Sequence, residues 1–127
     1  MKKIISTDLA PGAIVPYSQA IQYGNLLFVS GQIAINPETG ELVEDDIEVQ
    51  TKQVLENLQA IITEAGMTLQ NVLKCSCFLK DMEDFAKFNA VYNNYLAESL
   101  PARETVEVGR LPKDVRVEIS AICGVEE

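Results

Sequence analysis

The closing stretch PARETVEVGRLPKDVRVEIS, residues 101–120, sets Arg103 and Glu118 on segments that otherwise alternate like β-strands. Arginine and glutamate stand where a plain hairpin would place apolar or uncharged residues, so they are either solvated surface charges or a site. Period-2 spacing puts Arg103 on a face with Thr105 and Glu107, and Glu118 on a face with Arg116 and Ser120, against Val117 and Ile119. Charges on strands are mostly solvated, so spacing alone favours plain surface charges over a site.

A second candidate is the C-S-C run. On a strand, Cys75 and Cys77 point the same way with Cα atoms roughly 6.6 to 7 Å apart, at or beyond the reach of a relaxed disulfide. A metal would want further ligands, but the chain has no histidine and only Cys123 besides. All three thiols therefore read as small buried hydrophobes, with no metal site expected. The missing histidine also removes every Ser-His or Cys-His nucleophile pair. Neither GNLLFVSG nor TGELVEDD fits a phosphate-cradling glycine loop, which argues against a nucleotide enzyme.

The surrounding chain has 127 residues, enough for one domain, here 1–127, with one core. Its net charge of −9, with no local cluster of Lys and Arg, disfavours nucleic acid and anionic membranes as partners. Any anion site must then be a cleft where one arginine dominates at short range. The apolar runs are far shorter than the ~20 residues of a membrane span, and the start MKKIISTD lacks an apolar leader core, so a cytoplasmic location with reduced thiols is expected.

The elements that must position Arg103 and Glu118 follow from periodicity. A short strand is expected over 2–6, then an extended connection through APGAIVPYSQA, and strands over 17–23 and 26–30 around Gly24-Asn25. The run NPETGE reads as a turn. Apolar spacing predicts a helix over 46–65, capped by Asp45 or Asp46 and closed by Gly66. A strand follows over 72–80, then a helix over 82–98 that buries Phe85, Phe88, Tyr92, Tyr95 and Leu96. The closing strands, 103–108 and 115–122, read as a hairpin around the 109–114 loop. Both helices can cover one face of a single sheet, an α+β fold, leaving an apolar face that self-association would cover.

Beyond periodicity, PARETVEVGRLPKDVRVEISAI, APGAIVPYSQA, NLLFVSGQIAINPETGEL, ENLQAIITEAG and DFAKFNAVYNNYL resemble, in order and nearly end to end, the YjgF family of reactive intermediate deaminases, or RidA. The resemblance implies a chorismate-mutase-like α+β fold, a mixed sheet with two helices on one face, assembled as a homotrimer with clefts between subunits. It implies hydrolysis of 2-imino acids and their enamine tautomers to 2-keto acids and ammonia, without metal or organic cofactor. Position by position, Arg103 would grip the substrate carboxylate and Glu118 would orient or activate water. Tyr17 and Ser30 match site residues, Asn89 a polar neighbour, and the backbone N–H groups of Gly31 and Thr105 would lie beside the ligand. Tyr17 or water would deliver the proton that converts an enamine to an imine.

Two departures stand out. Many deaminase-type members carry cysteine where this chain has Thr105, usually after P-x-R-S rather than P-x-R-E, and the link from Tyr95 to Pro101 is short. Glu104, Glu107, Arg110, Lys113 and Arg116 read as ordinary surface charges. The alternative function is a non-catalytic sensor that binds 2-keto acids or similar small carboxylates in the same cleft.

Overall fold

The computed structural model describes residues 1–13 and 16–126; Ile14 and Val15, within the segment expected to be extended, and Glu127 lie outside the described residues. Helical periodicity is realised as α1, Ile47–Glu64. Asp46 rather than Asp45 caps it, its carboxylate accepting from the N–H groups of Glu48 and Val49 at 2.9 and 3.0 Å. Gly66 closes the helix at φ +80°, a left-handed angle that side chains resist. The buried stripe of α1 includes Val54, Leu55, Leu58, Ile61 and Ile62.

The strands are β1 (Lys2–Ile5), β2 (Ala20–Tyr23), β3 (Leu26–Gln32), β4 (Val72–Leu79), β5 (Ala102–Glu107) and β6 (Val117–Gly124). They form one mixed sheet in the order β1-β2-β3-β6-β4-β5, parallel only between β4 and β5. Those two are linked by α2, Phe85–Leu96, as the crossover of a parallel pair. The second helix is shorter than expected because Met82–Asp84 forms a 3₁₀ turn capped by Asp81. Its fully buried residues are Phe88, Tyr92 and Leu96, while Phe85 and Tyr95 are half-buried.

Two expectations are corrected. Strand β2 starts at Ala20, not at residue 17, because the Gln19 side chain just before it is tied to the 7–11 loop. The Gln19 amide donates to Thr7, Ala10 and Pro11 carbonyls at 3.1, 3.3 and 2.7 Å and accepts from the Thr7 N–H at 2.7 Å. More consequentially, the closing strands do not form a hairpin. Strand β4 lies between them, parallel to β5 and antiparallel to β6.

One sheet face packs on both helices through residues such as Ile5, Ala20, Val29, Ala121 and Cys75. The opposite face carries Ile4, Tyr23, Leu26, Phe28 and Val106, all exposed, with Ile21, Phe78 and Ile122 half-buried among them. This is the α+β arrangement expected, with its apolar open face.

Candidate functional site

Arg103 sits on β5 in register with Cys75 of β4, which puts its side chain on the helix-bearing face of the sheet. There its Nη1 donates to Asn89 Oδ1 at 2.7 Å. The guanidinium carbon lies 4.7 Å from the centroid of the Tyr92 ring, 5.7 Å from Phe85 and 5.9 Å from Phe88. Phe85, Phe88, Asn89 and Tyr92 follow one another at helical spacing, so one face of α2 supplies the whole surround. A cleft of about 350 Å³ opens beside it, walled by Asn89, Tyr92, Leu100 and Arg103. The short link after α2 closes through Leu100, in a left-handed conformation at φ 45°, whose N–H reaches the Leu96 carbonyl at 3.0 Å.

The other arginines have acidic partners. Arg110 pairs with Asp114 at 2.8 Å, and Arg116 with Asp45 at 2.8 Å and Asp84 at 3.2 Å. Among the described residues no carboxylate pairs with Arg103. In a chain with 19 acidic side chains, a half-buried arginine without one stands out.

Glu118 lies on β6 opposite Phe78 and therefore on the open face. Partial burial there pushes its carboxyl above the ordinary carboxylate range. It packs over Gly31 of β3: a Cβ added at Gly31 would lie 2.9 Å from Glu118 Cδ and 3.2 Å from Cγ, so only glycine leaves room for this carboxylate. Ser30, next in the chain, donates its hydroxyl to the Ser18 carbonyl at 2.6 Å and its N–H to the Gln19 carbonyl at 2.9 Å. Those bonds hold the segment carrying Tyr17, a residue 57% exposed.

The candidate residues thus fall into two groups. Arg103, Asn89 and Thr105 gather at α2 and β5, and Ser30, Gly31 and Glu118 gather on β3 and β6 with Tyr17 beside them. Within one protomer the two groups occupy opposite faces of the sheet, so Arg103 and Glu118 do not face each other across a cavity. Register with β4 dictates this separation, and no local spacing in residues 101–120 reveals it. Thr105, paired with Cys77, turns its hydroxyl inward, where it is buried without a hydrogen-bond partner.

The thiols behave as the sequence suggests. Cys75, Cys77 and Cys123 are free and buried, and burial is the main cause that raises all three, Cys77 and Cys123 to about 12. What sequence reasoning missed is the aromatic surround of Arg103. Phe85, Phe88 and Tyr92 read as a core stripe, and the one available signal was their helical phase with Asn89.

Residues 7–125 match the family described as Endoribonuclease L-PSP. A RutC family protein of Pyrococcus horikoshii is 59% identical over 97% of this chain and 98% of its own. Escherichia coli TdcF, solved with bound serine, superposes with a TM-score of 0.93 at 43% identity, covering 98% of this chain and 99% of the other. The E. coli YjgF gene product does so with a TM-score of 0.93 at 45% identity, over 98% and 99%. Identity of this order along both chains, together with the close superposition, places the protein in the YjgF/Rid family, to which it belongs.

Proposed function

We propose that this protein is an imine and enamine deaminase, hydrolysing 2-iminobutanoate and 2-iminopropanoate, products of pyridoxal-phosphate dehydratases, to 2-keto acids and ammonia. The observation that carries the reading is Arg103, a half-buried guanidinium held by Asn89 and, among the described residues, by no carboxylate. A ligand carboxylate supplies the missing counterion, and the planar fork fixes the direction in which the α-carbon points. The serine bound to TdcF is a small molecule with such a carboxylate.

Glu118 supplies the second requirement. An α-imino carbon is already electrophilic, so the enzyme needs chiefly to place a water and remove its proton. In the proposed step, acting on the N-protonated imine, the Glu118 carboxylate takes a proton from water as the water oxygen bonds to the imine carbon and the C=N π pair moves to nitrogen. The carbinolamine nitrogen takes that proton from Glu118, the C–N bond breaks as ammonia leaves, and the hydroxyl proton passes to the freed Glu118 carboxylate and on to solvent as the keto group forms. A carboxyl raised toward neutral pH by burial is suited to both halves of this transfer.

Because Arg103 and Glu118 lie on opposite faces of one protomer, the reading requires a second copy. We place the complete site between protomers of a symmetric homotrimer whose apolar open faces turn inward. A reading as a nuclease fits poorly with a net charge of −9 and no histidine.

The test adds purified protein to a threonine or serine dehydratase reaction and follows keto-acid release. The wild type is expected to exceed spontaneous hydrolysis, and Arg103→Ala to abolish the excess. No acceleration by a folded, assembled protein refutes the proposal. A Glu118→Gln variant that retained full function would favour the sensor instead.

A further inference from the structure

Arginine on an edge strand has a long flexible side chain, and nothing in the backbone fixes where its head points. In this protein three rings and one amide do so. We propose that Tyr92, assisted by Phe85 and Phe88, is a positioning residue that presents the edge of the Arg103 guanidinium to a substrate carboxylate; this rests on the reading that Arg103 takes that carboxylate.

The geometry divides the guanidinium into a face and an edge. The Tyr92 ring, 4.7 Å from the guanidinium carbon, lies within cation–π range, as do Phe85 at 5.7 Å and Phe88 at 5.9 Å. The rings are themselves in contact, with centroids 5.7 Å apart for Phe88 and Tyr92 and 6.2 Å for Phe85 and Phe88, so they form one continuous wall. Asn89 takes Nη1, which stops the head from spinning about its own axis. Among the described residues, Nε and Nη2 donate to nothing, and these are the two donors that a bidentate carboxylate would use.

The Tyr92 hydroxyl supports an assignment to the ring rather than to the phenol. It is buried beside the Cys75 thiol, and burial is the chief cause that holds its proton far more tightly than in water. A group so placed neither donates to substrate nor ionises at working pH. What remains for Tyr92 to offer is its π-face, which a leucine lacks and a phenylalanine keeps.

The experiment measures 2-oxobutanoate binding by titration calorimetry, and KM and kcat for imine hydrolysis, in wild type, Tyr92→Leu, Phe85→Leu, Tyr92→Phe and Arg103→Ala. Loss of a stacked ring is expected to weaken binding and raise KM roughly three- to thirtyfold in Tyr92→Leu, with kcat changed by less than about twofold, because carboxylate capture acts on ground and transition states alike. Phe85→Leu, at a half-buried position that folding tolerates, gives a smaller shift in the same direction. Tyr92→Phe restores wild-type values. Should Tyr92→Leu not fold, Phe85→Leu carries the test. Unchanged KM and binding in the folded leucine variants, with Arg103→Ala still losing both, overturns the positioning role and leaves the deaminase reading standing. Failure of the wild type to bind or turn over overturns both.

Discussion

Replacing Gly31 by alanine tests whether the Glu118 carboxylate has to be where the fold puts it. Gly31 is not in a left-handed conformation, so alanine is compatible with the backbone, and the new methyl meets only the far end of one side chain. At 2.9 Å from Glu118 Cδ and 3.2 Å from Cγ, that methyl forces the carboxyl to retreat by about 0.5 to 1 Å to regain ordinary contact. A displacement of that size at a reacting centre is worth on the order of a hundredfold in rate. Stability moves little: the alanine restricts the unfolded chain, a gain of about 0.4 to 1 kcal/mol, which offsets the local crowding.

The expectation is therefore a kcat/KM about ten- to a hundredfold lower in the coupled dehydratase assay, with the thermal midpoint within about 4 °C of wild type. A Gly31→Ala/Glu118→Asp double variant, one methylene shorter at the acid, should recover part of the loss. Full activity in Gly31→Ala would show that the position of the carboxylate is immaterial and would remove Glu118 from the mechanism. Loss of activity accompanied by a large fall in midpoint would instead mark Gly31 as structural.

Two further perturbations address the assembly and the charge state. Phe28→Lys places a cation in the middle of the open face, where Phe28 is 44% exposed in a single protomer. Sedimentation should then show monomers, and deaminase activity should vanish although Arg103 and Glu118 are intact; an active monomer would refute the shared site. Glu118→Gln concerns pH. Burial raises the folded-state carboxyl, so the native protein binds its proton more readily than the unfolded chain, and stability from this group is lost as pH rises through the folded value. The glutamine variant should thus melt higher than wild type at neutral pH, with the difference fading as pH drops below the ordinary glutamate value of about 4.3. A difference that grew on acidification would contradict the burial argument.

Helix α1 was legible almost to the residue, because the apolar period, the Asp46 cap and the closing Gly66 are all local signals. The open apolar sheet face was legible too, since both helices were expected to pack on one side of the sheet and leave the alternating apolar residues of the other side uncovered. The pairing of β5 with β6 was not. A strand pair around a short loop reads as a hairpin, and the insertion of β4 between them is a long-range fact that leaves no mark on residues 101–120. Spacing alone left Arg103 and Glu118 as surface charges; the family resemblance named them as candidates, and neither showed their placement on opposite faces. The aromatic wall on α2 shared its spacing with any core stripe, and only the register of β5 shows that a cation rests against it.

The placement of Arg103 and Glu118 on opposite faces has a genetic meaning in the proposed trimer. Each chain lends its arginine to one cleft and its glutamate to the next, so a lesion in either residue strikes a cleft that the same chain completes only with its neighbour. Two defective alleles, one lacking each residue, are then complementary when co-expressed: wherever an arginine-bearing copy abuts a glutamate-bearing one, an intact cleft is rebuilt. Inheritance of activity would follow neighbouring pairs of chains rather than single gene products.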